Sequence, residues 1–465
     1  MDEIVNVSFE KNLPTAEELL ELIAAKRIAE FRSAASDIPA PDLAEIMYEV
    51  PEDKIAVFYR LLSKDKAADV FIEMDSSTRE HLVSVFTDRE LSEVLSELYM
   101  DDTVDIVEEM PAGVVRRILK NSSVENRATI NQLLRYPKDS AGTIMTTEYV
   151  KLSEQMTVEE ALLHIKKVAI DKETIYTCYI TDSNRKLVGL VTAKSLLLAE
   201  RSTRLSEIME ERVIFATTSE DKEEVANKFN KYGFIALPVV DNEGRLVGIV
   251  TVDDAIDVFR EEVEEDFAKM AAITPTEKEY LRTSAFSIFK TRIPWLLILM
   301  ISATLSGAIL TFFEASLIPA LVLFVPMLMD SGGNSGSQAS VTVIRGLSTG
   351  EVVLSDVFRV LWKEICIGIM CGASLAIVAF GKVLLVDRLL MGNEAITVFV
   401  ALAVSLSLAA TIIVAKIIGS TLPLLAKRIG LDPAVMASPF ITTIVDAIGL
   451  IVYYFISSAA FGLTV

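Results

Sequence analysis

From Thr283 onward the chain holds five apolar stretches, at about Pro294–Phe313, Ile318–Val343, Ile365–Val386, Ile396–Ile418 and Val435–Phe461. Each is near the roughly 20 residues that a helix needs to cross a hydrocarbon core. Backbone polar groups in lipid must be satisfied within the protein, so these stretches are expected to fold as a bundle of spanning helices. The remainder of the chain is of another kind. Of 44 basic and 65 acidic residues, 10 and 9 lie after position 282, which leaves 34 against 56 before it. The acidic excess, a net −22, therefore belongs entirely to the first 282 residues. At 465 residues this predicts two or three water-facing domains joined to a separate membrane unit. A simple soluble enzyme is excluded, and no enzymatic role is expected. Nucleic acid is not an expected partner, because its phosphates would be repelled, and docking on an anionic lipid surface is disfavoured for the same reason. A concentrated negative field favours cations.

Positive charge orients the bundle. Arg282, Lys290 and Arg292 precede the first stretch; Arg345, Arg359 and Lys363 join the second to the third; Lys427 and Arg428 join the fourth to the fifth. The opposite loops carry only Glu314 and, further on, Asp387, Arg388 and Glu394. The expectation is a multi-pass protein of the cell membrane with its N-terminus in the cytoplasm and its C-terminus outside. Met1–Lys11 is acidic and lacks an apolar core, so no signal peptide is expected. Cys178, Cys366 and Cys371 have no metal-type spacing. An odd number of spans leaves no clean inverted pair within one chain. A homodimer with a pore on its twofold axis is the expected alternative.

Residues 16–136 read as short helices, with apolar residues three and four apart in LAEIMYEV (43–50) and LSEVLSELYM (91–100). Breaks recur at Val50-Pro51, Met74-Asp75-Ser76, Met100-Asp101 and Met110-Pro111, as in a stacked helical array. An internal repeat follows. KLVGLVTAKSLL (186–197) matches RLVGIVTVDDAI (245–256), and IMTTEYVKLSEQMTVEEAL (144–162) matches IMEERVIFATTSEDKEEVA (208–226). Each copy runs Ile-Met, strand, helix, strand, Asp-containing turn, strand through Val-Gly, helix. The pattern resembles a tandem pair of cystathionine-β-synthase (CBS) motifs, an α/β module that is often dimeric and whose clefts can hold ATP or another adenine nucleotide. That family contacts ribose with a Thr and an Asp three residues later. The second copy keeps the pair as Thr251 and Asp254; the first has Thr192 but Ser195. Beyond it, IDVFREEVEEDFAKM (256–270) predicts a long helix in which the six acids between Asp257 and Asp266 (Asp257, Glu261, Glu262, Glu264, Glu265 and Asp266) have only Arg260 for company. A solvated face is the plain reading of such a run; its place between a regulatory module and the membrane points to a response to cations.

Asp446 lies about ten residues inside the fifth stretch, in PFITTIVDAIGLIVYYF (439–455), with no Lys or Arg there to pair with. A charge at that depth costs on the order of 3 kcal/mol. It reads as a pore-facing carboxylate, against the alternative of a protonated Asp that fixes packing. Ser438 and Thr442, eight and four residues earlier, are expected on the same helix face. In the second stretch, VPMLMDSGGNSGSQAS (325–340), Gly332, Gly333 and Gly336 alternate with Asn334, Ser335 and Gln338. They predict an interrupted helix whose exposed carbonyls and amides form a pore wall; close helix packing through small residues is the alternative. Asp330 is a further acidic candidate. Oxygen donors without Cys clusters or His pairs suit hard divalent ions. Magnesium, which keeps several waters and needs only one or two carboxylates, fits better than calcium.

The helical domain (1–137), the CBS pair (138–258, in copies of about 138–200 and 201–258), the acidic connecting helix (259–282) and the five-helix transmembrane domain (283–465) occur in this order with PMLMDSGGNSGSQAS and PFITTIVDAIGL. Over essentially its whole length the chain resembles the MgtE-type magnesium transporters. The resemblance implies a homodimeric, Mg2+-selective, channel-like transporter in which Asp446 binds the ion and the segment around Gly332, Gly333 and Asn334 lines the pore. It also implies that cytosolic Mg2+ closes the pore by binding among Asp101, Asp105, Asp221, Glu223, Asp254, Asp257, Glu262, Glu265 and Asp266. One departure bears on a regulatory site: Gly233 stands in KYGF where some members carry an Asp. Two other readings stay open, a transporter for Co2+ or Ca2+ and a membrane-anchored nucleotide sensor that transports nothing.

Overall fold

Caps and prolines write the helix starts of the first part of the chain. In this computed structural model, residues 13–276, 280, 283–314, 318–436 and 438–462 are described. Arg282 and the side chains of Glu314 and Ser438 lie outside the described residues. The chain divides into two compact units, residues 1–259 and 260–465. Among its described residues the first begins with ten helices of eight to ten residues, α1 (Ala16–Ala24) to α10 (Val124–Leu133). Thr15 and Thr87 form reciprocal capping boxes with Glu18 and Glu90, Asp75 and Ser123 cap two more helices, and Pro39, Pro51 and Pro111 precede three others. Helices this short are marginal alone. The apolar faces of α1 to α9 share one core, in which the buried Phe31 and Phe58 rings meet edge to face at 5.0 Å, while Ile130 and Leu133 of α10 join the core of the second repeat copy.

The repeat folds as two matching three-stranded sheets. In one, β1 (Tyr149–Ser153) pairs in parallel with β2 (Thr174–Thr181), which pairs antiparallel with β3 (Leu187–Thr192); in the other, β4 (Ala216–Thr217), β5 (Ala236–Val240) and β6 (Leu246–Thr251) do the same. The two copies exchange their signature residues. Met145 of the first Ile-Met lies over Gly248 of the second Val-Gly, where a Cβ would stand 2.7 Å from its sulfur, and Met209 lies likewise over Gly189 at 2.8 Å. Backbone bridges Thr146–Ile249 and Leu190–Glu210 complete the exchange. Ile-Met and Val-Gly therefore recur together because each copy supplies half of the other's contact.

Helix α15 (Val252–Met270) begins inside the second copy, directly after β6, so the connecting helix and the last CBS helix are one element. It stops at 270, short of the expected 282. Ala272 takes a left-handed φ of 52°, and Ile273 N–H returns to the Ala268 carbonyl at 2.9 Å, closing the end as a glycine usually does.

In the second unit, α16 (Ala285–Glu314), α18 (Val325–Ser348), α19 (Val357–Lys382), α20 (Val398–Arg428) and α21 (Ser438–Phe461) are the long helices; the short α17 (Pro319–Val322) precedes α18. Among the described residues four helical segments are long and apolar enough to cross a bilayer, and they cover most of α16 and all of α19, α20 and α21. The 24-residue α18 carries the polar glycine motif. That motif does not interrupt the helix, which is continuous from Val325 to Ser348. Gly332, Gly333 and Gly336 instead admit neighbouring helices: a Cβ at Gly332 would stand 2.9 Å from Thr411 Cγ2, at Gly333 2.8 Å from Thr442 Cγ2, and at Gly336 2.9 Å from Ile441 Cγ2. The α18–α20 crossing is closer still, because a Cβ on Gly419 would collide with the Gly336 carbonyl. Gly419→Ala is expected to cost about 1–3 kcal/mol by overpacking against rigid backbone. Thermal unfolding in detergent measures it, and an unchanged midpoint would show that the two helices separate freely.

Candidate functional site

Two cavities in the second unit are each lined by an aspartate. Asp446, near the middle of α21, lines a cavity of about 260 Å3 with Ser306 and Gly307 of α16, Met329 of α18, and Thr443 and Leu450 of α21. Its Oδ1 is buried without a hydrogen-bond partner. Thr442, expected on the same face, turns to α18: it packs on Gly333, and its hydroxyl stands 3.5 Å from that of Ser337. The residue that shares the Asp446 cavity is Thr443, three positions before rather than four.

On the other side of α18, Asp330, Asn334 and Gln338 line a cavity of about 490 Å3 together with Cys371 and Ser374 of α19. The motif therefore presents two faces. Its glycines pack against α20 and α21, while Asn334 and Gln338 face open space. Lys416 is a residue that the sequence reading missed. It is 5% exposed in α20, and its Nζ donates to Gln338 Oε1 at 3.3 Å. A lysine within an apolar stretch was a sufficient signal by the same reasoning that singled out Asp446.

The first unit gathers acids that the sequence separates by 150 residues. Helix α8 (Met100–Glu109) carries Asp101 and Asp102 in its first turn, and α15 carries Asp253 and Asp254 in its first turn. Helix N-termini favour such carboxylates. Burial raises Asp101, reinforced by Asp254, Asp102 and Glu173; burial with Asp254 and Asp253 lifts Asp102 to about 7; burial with Asp102, Asp253 and Asp254 lifts Glu173 to about 8. Asp254 is raised by burial and neighbouring acids, against the opposing bond from Thr251, whose hydroxyl donates to Oδ2 at 2.5 Å. One Glu173 oxygen is buried without a partner. Asp102, Asp253 and Glu173 were not singled out from the sequence; only folding brings them beside Asp101 and Asp254.

Of the other expected sensor residues, Asp257 is one turn from Asp254 and helps to raise it, and the rest are spread along α8, α14 and α15. Asp105 is exposed, one turn along α8 from Asp101, and Asp257 is exposed on α15. Asp221 caps α14 (Lys222–Tyr232), its carboxylate accepting from Glu223 N–H at 2.8 Å. Gly233 ends that helix with a left-handed φ of 66°, a conformation that glycine takes without strain. Glu262 is half-buried on α15. Glu265 pairs with Lys269, which also bonds Asp432 Oδ2 at 2.6 Å, and Asp266 accepts from Ser348 Oγ at 3.1 Å. Hydrogen bonds and attraction from Asp432 and Glu265 hold Lys269 at about 12 against burial. Among the described residues no three His, Cys, Asp or Glu side chains converge closely enough to hold a metal. In the CBS copies the Thr251–Asp254 pair is formed, whereas Thr192 meets Ser195 hydroxyl to hydroxyl at 2.8 Å.

Residues 325–456 match the MgtE divalent cation transporter family, residues 38–139 match the MgtE intracellular N domain, and residues 141–202 and 205–261 match CBS domains. Over 428 residues the chain is 35% identical to the magnesium transporter MgtE of Thermus thermophilus, covering 91% of this chain and 93% of that protein. Over 459 residues it is 32% identical to the magnesium transporter MgtE of Bacillus subtilis, covering 97% and 98%. The crystal structure of the cytosolic domain of the Mg2+ channel MgtE in complex with ATP is similar to 52% of this chain and 99% of that one, with a TM-score of 0.50 and 37% identity.

Proposed function

Because the chain belongs to the MgtE family of magnesium transporters, we propose that it works as a homodimeric, channel-like conduit for passive Mg2+ influx, closed by Mg2+ bound to its acidic soluble part. The observation that carries the reading is Asp446, a carboxylate inside an apolar helix that lines a cavity and leaves one oxygen unpartnered. Such a group persists at membrane depth where a passing cation neutralises it. The other lining atoms are hydroxyls and apolar carbon, so a magnesium ion keeps most of its water there. Two copies would set two Asp446 carboxylates across a twofold axis. In this reading α18 is the fifth span, its polarity tolerated because it faces a wet pathway. Lys290, Arg292, Arg345, Arg359, Lys363, Lys427 and Arg428 then lie on the cytoplasmic side. A divalent ion entering a negative-inside cell gains about 4.6 kcal/mol per 100 mV, which drives influx without ATP hydrolysis.

Closure rests on the acid group at α8 and α15. Without divalent ions its carboxylates repel; an ion bound among them, with some waters retained, removes the repulsion and draws the helix starts together. Asp254 serves both this group and the Thr251 pair that would contact a ribose. The ATP complex of the related cytosolic domain supports adenine-nucleotide binding, and the shared residue would couple nucleotide to Mg2+. Proteoliposomes with Mg2+ varied on the side of the soluble domains test the proposal. Uptake should fall at least about tenfold as that Mg2+ rises through the millimolar range, and a rate indifferent to it would remove the regulatory half of the reading.

A further inference from the structure

We propose that the cavity between α18 and α19 is a second station for a hydrated divalent cation, separate from the Asp446 cavity. It rests on the reading that this chain conducts Mg2+, and it adds a place, a set of residues and a hydration state.

The cavity holds about 490 Å3 and is lined from α18 by Asp330, Asn334, Ser335 and Gln338 and from α19 by Cys371 and Ser374. A liquid water occupies about 30 Å3, so an ion with a full shell of six waters fits with room to spare. Ser335 is 7% exposed, and its Oγ has no hydrogen-bond partner, a buried donor and acceptor left open beside the cavity. The Ser374 hydroxyl donates to the Met370 carbonyl at 2.9 Å, which leaves its lone pairs to face a ligand. An unmet polar atom at this depth costs free energy unless water or an ion fills the space.

Charge decides where the ion sits. Asp330 is exposed to the cavity, and the described residues give it no ion pair. At the other end Lys416 occupies Gln338 Oε1, so that amide offers the cavity its N–H groups, and a fixed positive charge stands behind it. A cation is therefore drawn to the Asp330, Asn334 and Ser335 end and repelled from the Gln338 end. One carboxylate with neutral oxygens is too sparse to strip magnesium of its water, and no three acidic, His or Cys ligands converge among the described residues. The station holds the ion weakly, through its water, and exchanges it fast. Asp446 lines the other cavity, and its carboxylate lies within electrostatic reach of Asp330, so the two stations have separate linings and share a field.

Cys371 gives the test a reporter inside the cavity. In the full-length Cys366→Ser protein in lipid, with Cys178 buried, the rate of Cys371 modification by a trimethylammonium methanethiosulfonate is measured against MgCl2 at constant ionic strength. The expected result is at least fivefold protection at saturating Mg2+. Asp330→Asn should raise the half-protecting concentration at least fivefold and Ser335→Ala about two- to threefold, while Asp446→Asn, which removes only a neighbouring charge, shifts it by clearly less than Asp330→Asn does. Ser335→Ala removes only an unpaired hydroxyl, so it reads the site even where Asp330→Asn disturbs assembly. Absence of Mg2+ protection, protection that Asp330→Asn leaves unchanged, or protection lost equally in Asp446→Asn would each overturn the second station. Mg2+ flux measured on the same vesicles reports separately on transport, so a failed station and a failed transporter give different results.

Discussion

Vesicles carrying Asp446→Asn should take up Mg2+ at least about 100-fold more slowly than vesicles carrying the parent protein. Asparagine keeps the shape of the side chain and the cavity beside α16, and it removes only the charge. Two unit charges 4 Å apart attract by about 4 kcal/mol at an effective dielectric near 20, so a divalent ion and a carboxylate attract by about 8. If the water that the ion sheds offsets more than half of that, about 3 kcal/mol remains, which is roughly 100-fold. Asp446→Glu keeps the charge at a shifted position and should retain a measurable rate. Uptake by Asp446→Asn within twofold of the parent would remove Asp446 from the pathway.

The acid group at α8 and α15 predicts an unusual pH dependence. Asp101, Asp102, Glu173 and Asp254 have raised proton affinity in the folded chain, with Asp102 at about 7 and Glu173 at about 8 against about 4 for free carboxyls. A group raised by folding adds stability that is complete below its free value and is lost as pH rises through its folded value. In EDTA, hydrogen-exchange protection of α8 and of the first turns of α15, corrected for intrinsic rate, should therefore fall between pH 5 and pH 9. A tenfold difference in proton affinity corresponds to about 1.4 kcal/mol, or tenfold in the opening equilibrium, so a fall of at least tenfold is expected. The shifts share one set of repulsions and do not add. Saturating Mg2+ should abolish the pH dependence, as should Asp102→Asn combined with Glu173→Gln. Protection that stays flat in EDTA would mean that these carboxylates are not under mutual strain.

The linear order of residues by itself determined the class of each part. Twenty-residue apolar stretches, a surplus of acids confined to the first 282 positions, and a twice-repeated Ile-Met/Val-Gly pattern follow from local periodicity and composition, which a one-dimensional text carries in full. A lone carboxylate in an apolar stretch was legible for the same reason, and so was Lys416, although its partner Gln338 was not. Only the tertiary structure decided which residues face one another. It turned the glycines of α18 into packing surfaces on a continuous helix, because their missing side chains make room for α20 and α21, and it gave the open face to Asn334 and Gln338. It also drew Asp102, Glu173 and Asp253 to Asp101 and Asp254, and it gave Glu265 a lysine partner. Such proximities depend on how helices cross and sheets exchange across long separations, and spacing along the chain records only neighbours on the same element.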